Sequence, residues 1–62
     1  MTPENANAMW LEIDDMKRNA AAIAAQDWDD EQFRNAIVAD ILEMCEIGEV
    51  FLERHGFGRV LS

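Results

Sequence analysis

Between two long helical patterns the chain reads Gln26-Asp27-Trp28-Asp29, and this short break sets the architecture. With Asp29 as the N-cap of a second helix, Gln32 falls at the third helical position, which is the acidic form of a capping box. The same register places Trp28 just before the cap and Phe33 at the fourth helical position, the pair of a hydrophobic staple. Two independent signals therefore predict that a helix begins near residue 30.

The segment before the break is predicted to be one helix, from about Pro3 to about Gln26. Thr2 is a good N-cap, and proline suits the first helical position. Apolar residues recur in this segment at steps of three and four, which indicates a single helix face. They are Ala6, Met9, Ile13, Met16, Ala20 and Ile23.

The second helix is predicted to run from about residue 30 to His55. Gly56 can adopt the left-handed conformation after the last turn, and Phe57 can then fold back onto Leu52 as in a Schellman motif. A loop of about three residues forces two such helices to be antiparallel. We therefore predict an all-α fold, in which residues 1–62 form one helical-hairpin domain with helices at about 3–26 and 30–55 and a short C-terminal tail at 57–62.

The second helix carries two apolar stripes, although a two-helix hairpin has only one internal surface to fill. The first stripe is predicted to cover the first helix and consists of Phe33, Ile37, Met44, Ile47 and Phe51. The second stripe exceeds the apolar patch that soluble monomers usually expose, so we expect a second copy or another protein to cover it. This predicted interface also includes Trp10 and Leu11 of the first helix, and on the second helix it comprises Val38, Ile41, Leu42, Cys45, Gly48 and Leu52.

A polar residue interrupts the first stripe. Asp40 lies among its apolar members, where a polar side chain can fix register or oligomeric state at some cost in stability. Lys17 is its candidate partner, since it lies about opposite in the hairpin. The alternative is a carboxylate at the rim that tilts into water.

Composition favours a protein that acts by association. A chain of 62 residues buries only roughly 60% of the surface that its unfolded form exposes, and a core this small rarely supplies more than ~3–5 kcal/mol. The single cysteine, Cys45, excludes an internal disulfide and fits a reducing cytosol. His55 is the only histidine, and the sequence has no phosphate-binding loop, catalytic triad or paired carboxylates in a cleft. We expect no enzyme, no cofactor and no metal, and neither a membrane span nor a signal peptide.

The charge of the chain restricts the kind of partner. Thirteen acidic residues stand against five basic ones, for a formal net charge of −8. Such a charge repels nucleic acid and anionic membranes and favours basic protein surfaces. The alternative role of these carboxylates is to keep an apolar helix soluble. The residues predicted to form an acidic partner face are Asp27, Asp29, Asp30, Glu43, Glu46, Glu49 and Glu53.

Two resemblances extend these expectations. In length and layout the chain resembles the plasmid-encoded repressor-of-primer proteins, through the segments Asp29-Asp30-Glu31-Gln32 and Arg54-His55-Gly56. That resemblance implies a dimer of hairpins in a four-helix bundle, which binds paired RNA loops through its first helices, where this chain offers Lys17 and Arg18. In size and acidity the chain also resembles small phage-encoded inhibitors of host proteins, including anti-CRISPR proteins and blockers of host regulators. This second resemblance implies an inhibitor in the host cytoplasm.

The leading hypothesis is a cytoplasmic, dimeric helical hairpin that binds a host protein and inhibits or modulates it. The alternative is a structural or regulatory homodimer, a four-helix bundle with no separate target. A weaker third hypothesis is an RNA-binding bundle of the repressor-of-primer kind.

Overall fold

The computed structural model describes residues 1–59 of the chain, so positions 60–62 of the predicted tail lie outside the described residues. Within residues 1–59 the chain forms two α-helices, α1 (Pro3–Ala25) and α2 (Glu31–Arg54), which pack together as an antiparallel hairpin. The molecule measures 43 × 20 × 15 Å. The predicted all-α hairpin is confirmed, and both helices begin and end within one residue of the predicted bounds.

Local capping accounts for the ends of α1. The hydroxyl of Thr2 accepts a hydrogen bond from the backbone N–H of Asn5 at 3.2 Å, and Pro3 occupies the first helical position. The helix ends at Ala25, where the N–H of Gln26 still donates to the carbonyl of Ile23. The N-terminal signals were therefore read correctly from the sequence.

The turn differs from the prediction by one residue. Asp30, and not Asp29, caps α2: its carboxylate accepts the backbone N–H of Phe33 at 3.0 Å. Trp28 still contacts Phe33, with ring centroids 6.1 Å apart, but Phe33 is now the third helical position, so the predicted capping box and the predicted staple register are not formed. The indole N–H of Trp28 also donates to the carbonyl of Ile23 at 2.8 Å, so this carbonyl at the end of α1 accepts a second hydrogen bond besides the one from Gln26.

The end of α2 forms the predicted Schellman motif. The N–H of Phe57 donates to the carbonyl of Leu52 at 2.8 Å, and the N–H of Gly56 donates to that of Glu53 at 3.1 Å. Gly56 has a φ of +78°, the left-handed conformation that the motif requires. Phe57 consequently folds back and packs against the hydrophobic core.

The core contradicts the predicted assignment of the two stripes of α2. Cys45 and Leu52, from the stripe predicted to be surplus, are fully buried, and Ile41 packs against them. The stripe predicted to be internal is largely exposed. Gly48 gives the physical reason: a Cβ atom there would lie only 3.2 Å from Cδ1 of Ile13, so the missing side chain lets α1 approach closely on this side. The inner surface of α2 is therefore rotated by about 100°, one residue's turn, from the predicted one.

Trp10 completes this core. It was predicted to belong to an outer interface, yet it is 5% exposed and clusters with Ala6 and Ile13 of α1. Its indole N–H donates to the carbonyl of Phe57 at 2.8 Å. Met9, predicted to be internal, is 37% exposed instead. The hydrogen bond to Phe57 thus helps to hold Trp10 on the side of α1 that faces α2.

Candidate protein-binding face

Most residues of the predicted partner interface pack inside the hairpin instead. Trp10, Cys45 and Leu52 are buried within one chain, so their prediction as partner contacts is wrong. Ile41, Val38 and Gly48 are half-buried on the same inner side of α2. Only Leu11 and Leu42 of the predicted set are exposed, at 65% and 46%.

A different set of apolar side chains of α2 is left exposed by the hairpin. We call it the apolar face, and it comprises one half-buried residue, Ile37, and four exposed ones. The exposed members are Phe33 at 53%, Met44 at 62%, Ile47 at 63% and Phe51 at 44%. Along α2 the face runs one position before the residues that point toward α1; for example, Met44 precedes Cys45 and Phe51 precedes Leu52. The face therefore forms one continuous flank of α2. Met9 of α1 borders it, because helix periodicity places Met9 on the same side of the hairpin.

Ion pairs occupy the opposite flank. The ammonium of Lys17 lies 2.6 Å from a carboxylate oxygen of Glu49, and this hydrogen bond raises the pKa of Lys17 above its ordinary value. Arg59 donates two hydrogen bonds to Asp14, of 2.9 and 2.6 Å, and lies 4.7 Å from the ring centre of Trp10. The hydrogen bonds from Arg59 hold the pKa of Asp14 below its ordinary 3.8. The hairpin therefore has one apolar flank and one flank of paired charges.

Asp40 lies in the apolar face and does not pair with Lys17. Its side chain is exposed between Ile37 and Met44, whereas Lys17 pairs with Glu49 across the other flank. The rotation of α2 explains the change, because it carries Asp40 away from α1 and brings Glu49 toward it. The predicted Asp40–Lys17 pair is therefore wrong, and Asp40 is a carboxylate in a mainly apolar surface.

The predicted acidic face is spread over the turn and the outer side of α2. Two of its members have structural tasks: Asp30 caps α2 and Glu49 pairs with Lys17. The others are exposed, at positions Asp27, Asp29, Glu43, Glu46 and Glu53. Whether these carboxylates meet a partner stays a prediction.

The basic residues of α1 are also engaged. Lys17 pairs with Glu49, and Arg18 pairs with Asp15 one turn earlier on the same helix. Both cations are thus neutralised locally by carboxylates. This arrangement weakens the attraction to phosphates that the repressor-of-primer resemblance implies.

An open depression of about 260 Å³ lies where the start of α1 meets the end of α2. It is lined by Pro3, Ala6, Asn7 and the segment Gly56-Phe57-Gly58. Cys45 lies elsewhere, buried in the core, with its thiol 3.8 Å from the carbonyl of Ile13. Over residues 1–59 no three histidine, cysteine or acidic side chains are grouped to hold a metal ion, and neither helix there has the length and apolarity to cross a bilayer.

Sequence reasoning missed Arg59 and misplaced Trp10, and one signal could have found the second. Ala6, Trp10, Ile13, Met16 and Ala20 are apolar and follow steps of four, three, three and four, which also fit a single helix face. Burying a tryptophan removes more apolar surface than burying Met9, which favours this alternative. The Arg59 contacts had no local signal, because they join residues 45 positions apart.

Comparison with known proteins leaves the two resemblances as predictions. No protein-family model, curated protein sequence or solved structure matches this chain. The surface of the hairpin, and above all the apolar face, is therefore the feature that bears on function.

Proposed function

We propose that this chain is a small acidic protein-binding module that inhibits or modulates a host protein by occupying an apolar or basic surface. The observation that carries the proposal is the apolar face, in which Phe33, Met44, Ile47 and Phe51 are 44% to 63% exposed. Apolar surface left in water costs about 25 cal/mol per Å² relative to buried surface. Large side chains grouped in this way on a folded hairpin are typical of a surface that another polypeptide covers.

The shape of the molecule supports this proposal. The hairpin has an accessible surface of 4819 Å², whereas a compact monomer of 7.1 kDa exposes about 4,100 Å². Its radius of gyration is 13.8 Å, against about 10.6 Å for a compact domain of this length. Two helices side by side have one shared surface, so the remaining apolar side chains need material from outside the chain.

The charge of the module suggests how it finds a target. The net charge of −8 and the exposed carboxylates of the turn and of α2 attract a basic protein surface over a distance of about one Debye length. Attraction of this kind raises the rate of association more than it strengthens the final complex. The apolar face then supplies the contact area, with Leu11 as a separate exposed side chain on α1.

A pair of matched variants tests the proposal. Ile47→Glu places a carboxylate in the apolar face, and Leu42→Glu makes the same kind of change on the other flank of α2, where Leu42 is 46% exposed. We expect a protein captured from cell extract to bind the wild type and Leu42→Glu and to be lost on Ile47→Glu. Its affinity for the wild type should also fall between low and high salt, and its activity should change when the module is added. Equal capture by all three proteins would contradict the use of the apolar face.

A second candidate function is a structural or regulatory homodimer without a separate target. The pattern of the apolar face favours it, because the same residue types recur at both ends of the face in reverse order. Under this hypothesis the face is fully occupied in the dimer, and no captured protein depends on Ile47. A gel shift at low salt tests the RNA-binding hypothesis, for which we expect no shift because Lys17 and Arg18 are paired with carboxylates.

A further inference from the structure

We infer that the apolar face is covered by a second copy of this chain, with α2 of each copy antiparallel to the other about a twofold axis near residue 42. The inference rests on the second candidate function, the homodimer, and adds the direction and register of its helices; a host protein would then have to bind outside the apolar face. The two α1 helices then lie on the outside of the paired α2 helices or beside them, and the four helices form a bundle.

The order of residues along the face carries the inference. Including the polar position, the face reads Phe33, Ile37, Asp40, Met44, Ile47 and Phe51, with steps of four, three, four, three and four. The spacing is the same from either end, and the outer four positions repeat the same residue types. When two such helices run antiparallel about residue 42, Phe33 meets Phe51 of the second copy and Ile37 meets its Ile47. A twofold interface requires this kind of self-complementary surface.

The spacing also suits close packing between helices. The five steps from Phe33 to Phe51 cover 18 residues, an average of 3.6, which is the period of the α-helix, so the side chains stay along one line. Each apolar side chain can then insert between side chains of the facing helix. The face is therefore periodic enough to pack along its full length, from Phe33 to Phe51.

The charges at the ends of α2 select the antiparallel direction. Asp29, Asp30 and Glu31 surround the start of the helix, and Arg54 lies in its last turn. In the antiparallel pair, Arg54 of one copy lies opposite Asp30 of the other at both ends, which offsets part of the repulsion between two acidic chains, although Glu53 then lies opposite Glu31. A parallel pair would bring the three carboxylates against their own copies. The helix dipoles also oppose each other favourably in the antiparallel arrangement.

The apolar area on offer reaches about the lower limit for a specific interface. Large apolar side chains of about 200 Å² that are 37% to 63% exposed leave roughly 100 Å² each, so Met9 and the four exposed members of the face offer on the order of 500 Å². Two copies together would bury about 1,000 Å² of apolar surface before any polar rim is counted. This lies near the lower bound of stable protein–protein interfaces.

Asp40 opposes the association and so provides a specific test. In the antiparallel register, each Asp40 lies opposite Met44 of the other copy, and the two carboxylates lie on either side of the twofold axis. Both would lose water, and they would repel each other. Asp40→Leu should therefore strengthen the dimer roughly tenfold or more, since one buried charge per copy is replaced by an apolar side chain.

Sedimentation equilibrium on the full chain measures the association. We expect a mass of twice 7.1 kDa for the wild type. Ile47→Glu should weaken the dimer roughly 100-fold or more, because each dimer would bury two additional carboxylates. Leu42→Glu, on the other flank, should leave the dimer unchanged. Circular dichroism checks that each variant stays helical, which we expect because both positions are exposed.

Engineered cysteines test the register. An equimolar mixture of Ile37→Cys and Ile47→Cys should form a disulfide between the two different chains under mild oxidation, while Ile37→Cys alone should not. The native Cys45 is 1% exposed and so stays out of this reaction. Cross-linking of Ile37→Cys to itself would overturn the antiparallel register.

The outcomes separate this inference from the proposed function. A wild type that sediments as a monomer, or a dimer that Ile47→Glu leaves unchanged, overturns the second copy as the occupant of the face. If the monomer still loses a captured protein on Ile47→Glu, the occupant is a foreign protein, and the proposed binding function stands without this inference. A dimer that dissociates on Ile47→Glu and cross-links between positions 37 and 47 supports the inference.

Discussion

Trp10 donates its indole N–H to the carbonyl oxygen of Phe57 over 2.8 Å, across 47 positions of sequence. The bond fastens the segment after α2 to the first helix, and the guanidinium of Arg59 lies over the face of the same ring, 4.7 Å from its centre. Together these contacts turn Trp10 into the core, where it is 5% exposed. They therefore join α1 to the segment after α2 at the open end of the hairpin.

Removing the indole N–H should weaken the fold. We expect Trp10→Phe to lower the free energy of unfolding by about 1–2 kcal/mol, since a buried carbonyl loses its donor and the smaller ring leaves space. Urea denaturation at one fixed protein concentration measures the change, because association would otherwise shift the midpoint. The control is Leu11→Ala, at a neighbouring position that is 65% exposed, which should change stability by less than about 0.5 kcal/mol. Equal stability of Trp10→Phe and wild type would contradict the bond.

The position of the second N-cap is tested by two adjacent aspartates. Asp30→Ala should cost about 1 kcal/mol, because the N–H of Phe33 loses its acceptor. Asp29→Ala removes the same charge from the preceding residue and should cost less than about 0.5 kcal/mol. Thermal unfolding of the two variants gives the comparison. A larger loss of stability for Asp29→Ala would show that Asp29 is the N-cap, as the sequence predicts.

Gly48 and Ile13 should be energetically coupled. In an open helix, Gly→Ala gains about 1 kcal/mol, but at Gly48 the new Cβ would lie 3.2 Å from Cδ1 of Ile13 and should lose most of that gain. Ile13→Val removes the crowded methyl group, so the double variant should recover about 0.5–1 kcal/mol relative to the sum of the single changes. A double-mutant cycle in urea measures the coupling, and strictly additive effects would show that the helices do not touch here.

The pairing of Asp14 with Arg59 predicts a dependence on acid. The pKa of Asp14 is lowered in the folded state, chiefly by the hydrogen bonds from Arg59, so the pair stabilises the fold above the ordinary pKa of 3.8. This contribution should disappear as the pH falls through the lower pKa of the folded state. The unfolding midpoints of wild type and Asp14→Asn should therefore differ most at about pH 6, and the difference should shrink as the pH is lowered below 3.8. A difference that persists unchanged in acid would contradict the ion pair.

The helix ends were predictable because their signals are local. Thr2, Pro3 and Gly56 act through bonds that reach no farther than one helical turn, and the structure confirms all three. The second N-cap was predicted one residue too early, at Asp29, whereas Asp30 accepts the N–H of Phe33. Adjacent aspartates give the sequence no means of choosing between them.

The inner face of α2 could not be predicted from spacing. Both of its stripes follow steps of three and four, the first only when Asp40 is counted, so spacing alone does not identify the inner one. The choice depends on the fit between Gly48 and Ile13 and on the contacts of Trp10 with Phe57 and Arg59, which are long-range. One apolar stripe of α2 does lie outside the hairpin core, as predicted, but it is the stripe that was predicted to be internal. The candidate binding residues change accordingly.

The two tryptophans make the hairpin its own fluorescent probe. Trp28 donates to Ile23 beside the turn, and Trp10 donates to Phe57 at the open end, so each indole reports on the packing of a different end. The stretch of α1 from Trp10 to Ala25 alone spans about 22 Å at 1.5 Å per residue. Replacing one tryptophan at a time by phenylalanine would leave a single emitter at either end. The emission of each would then reveal whether the turn and the open end melt together or in succession.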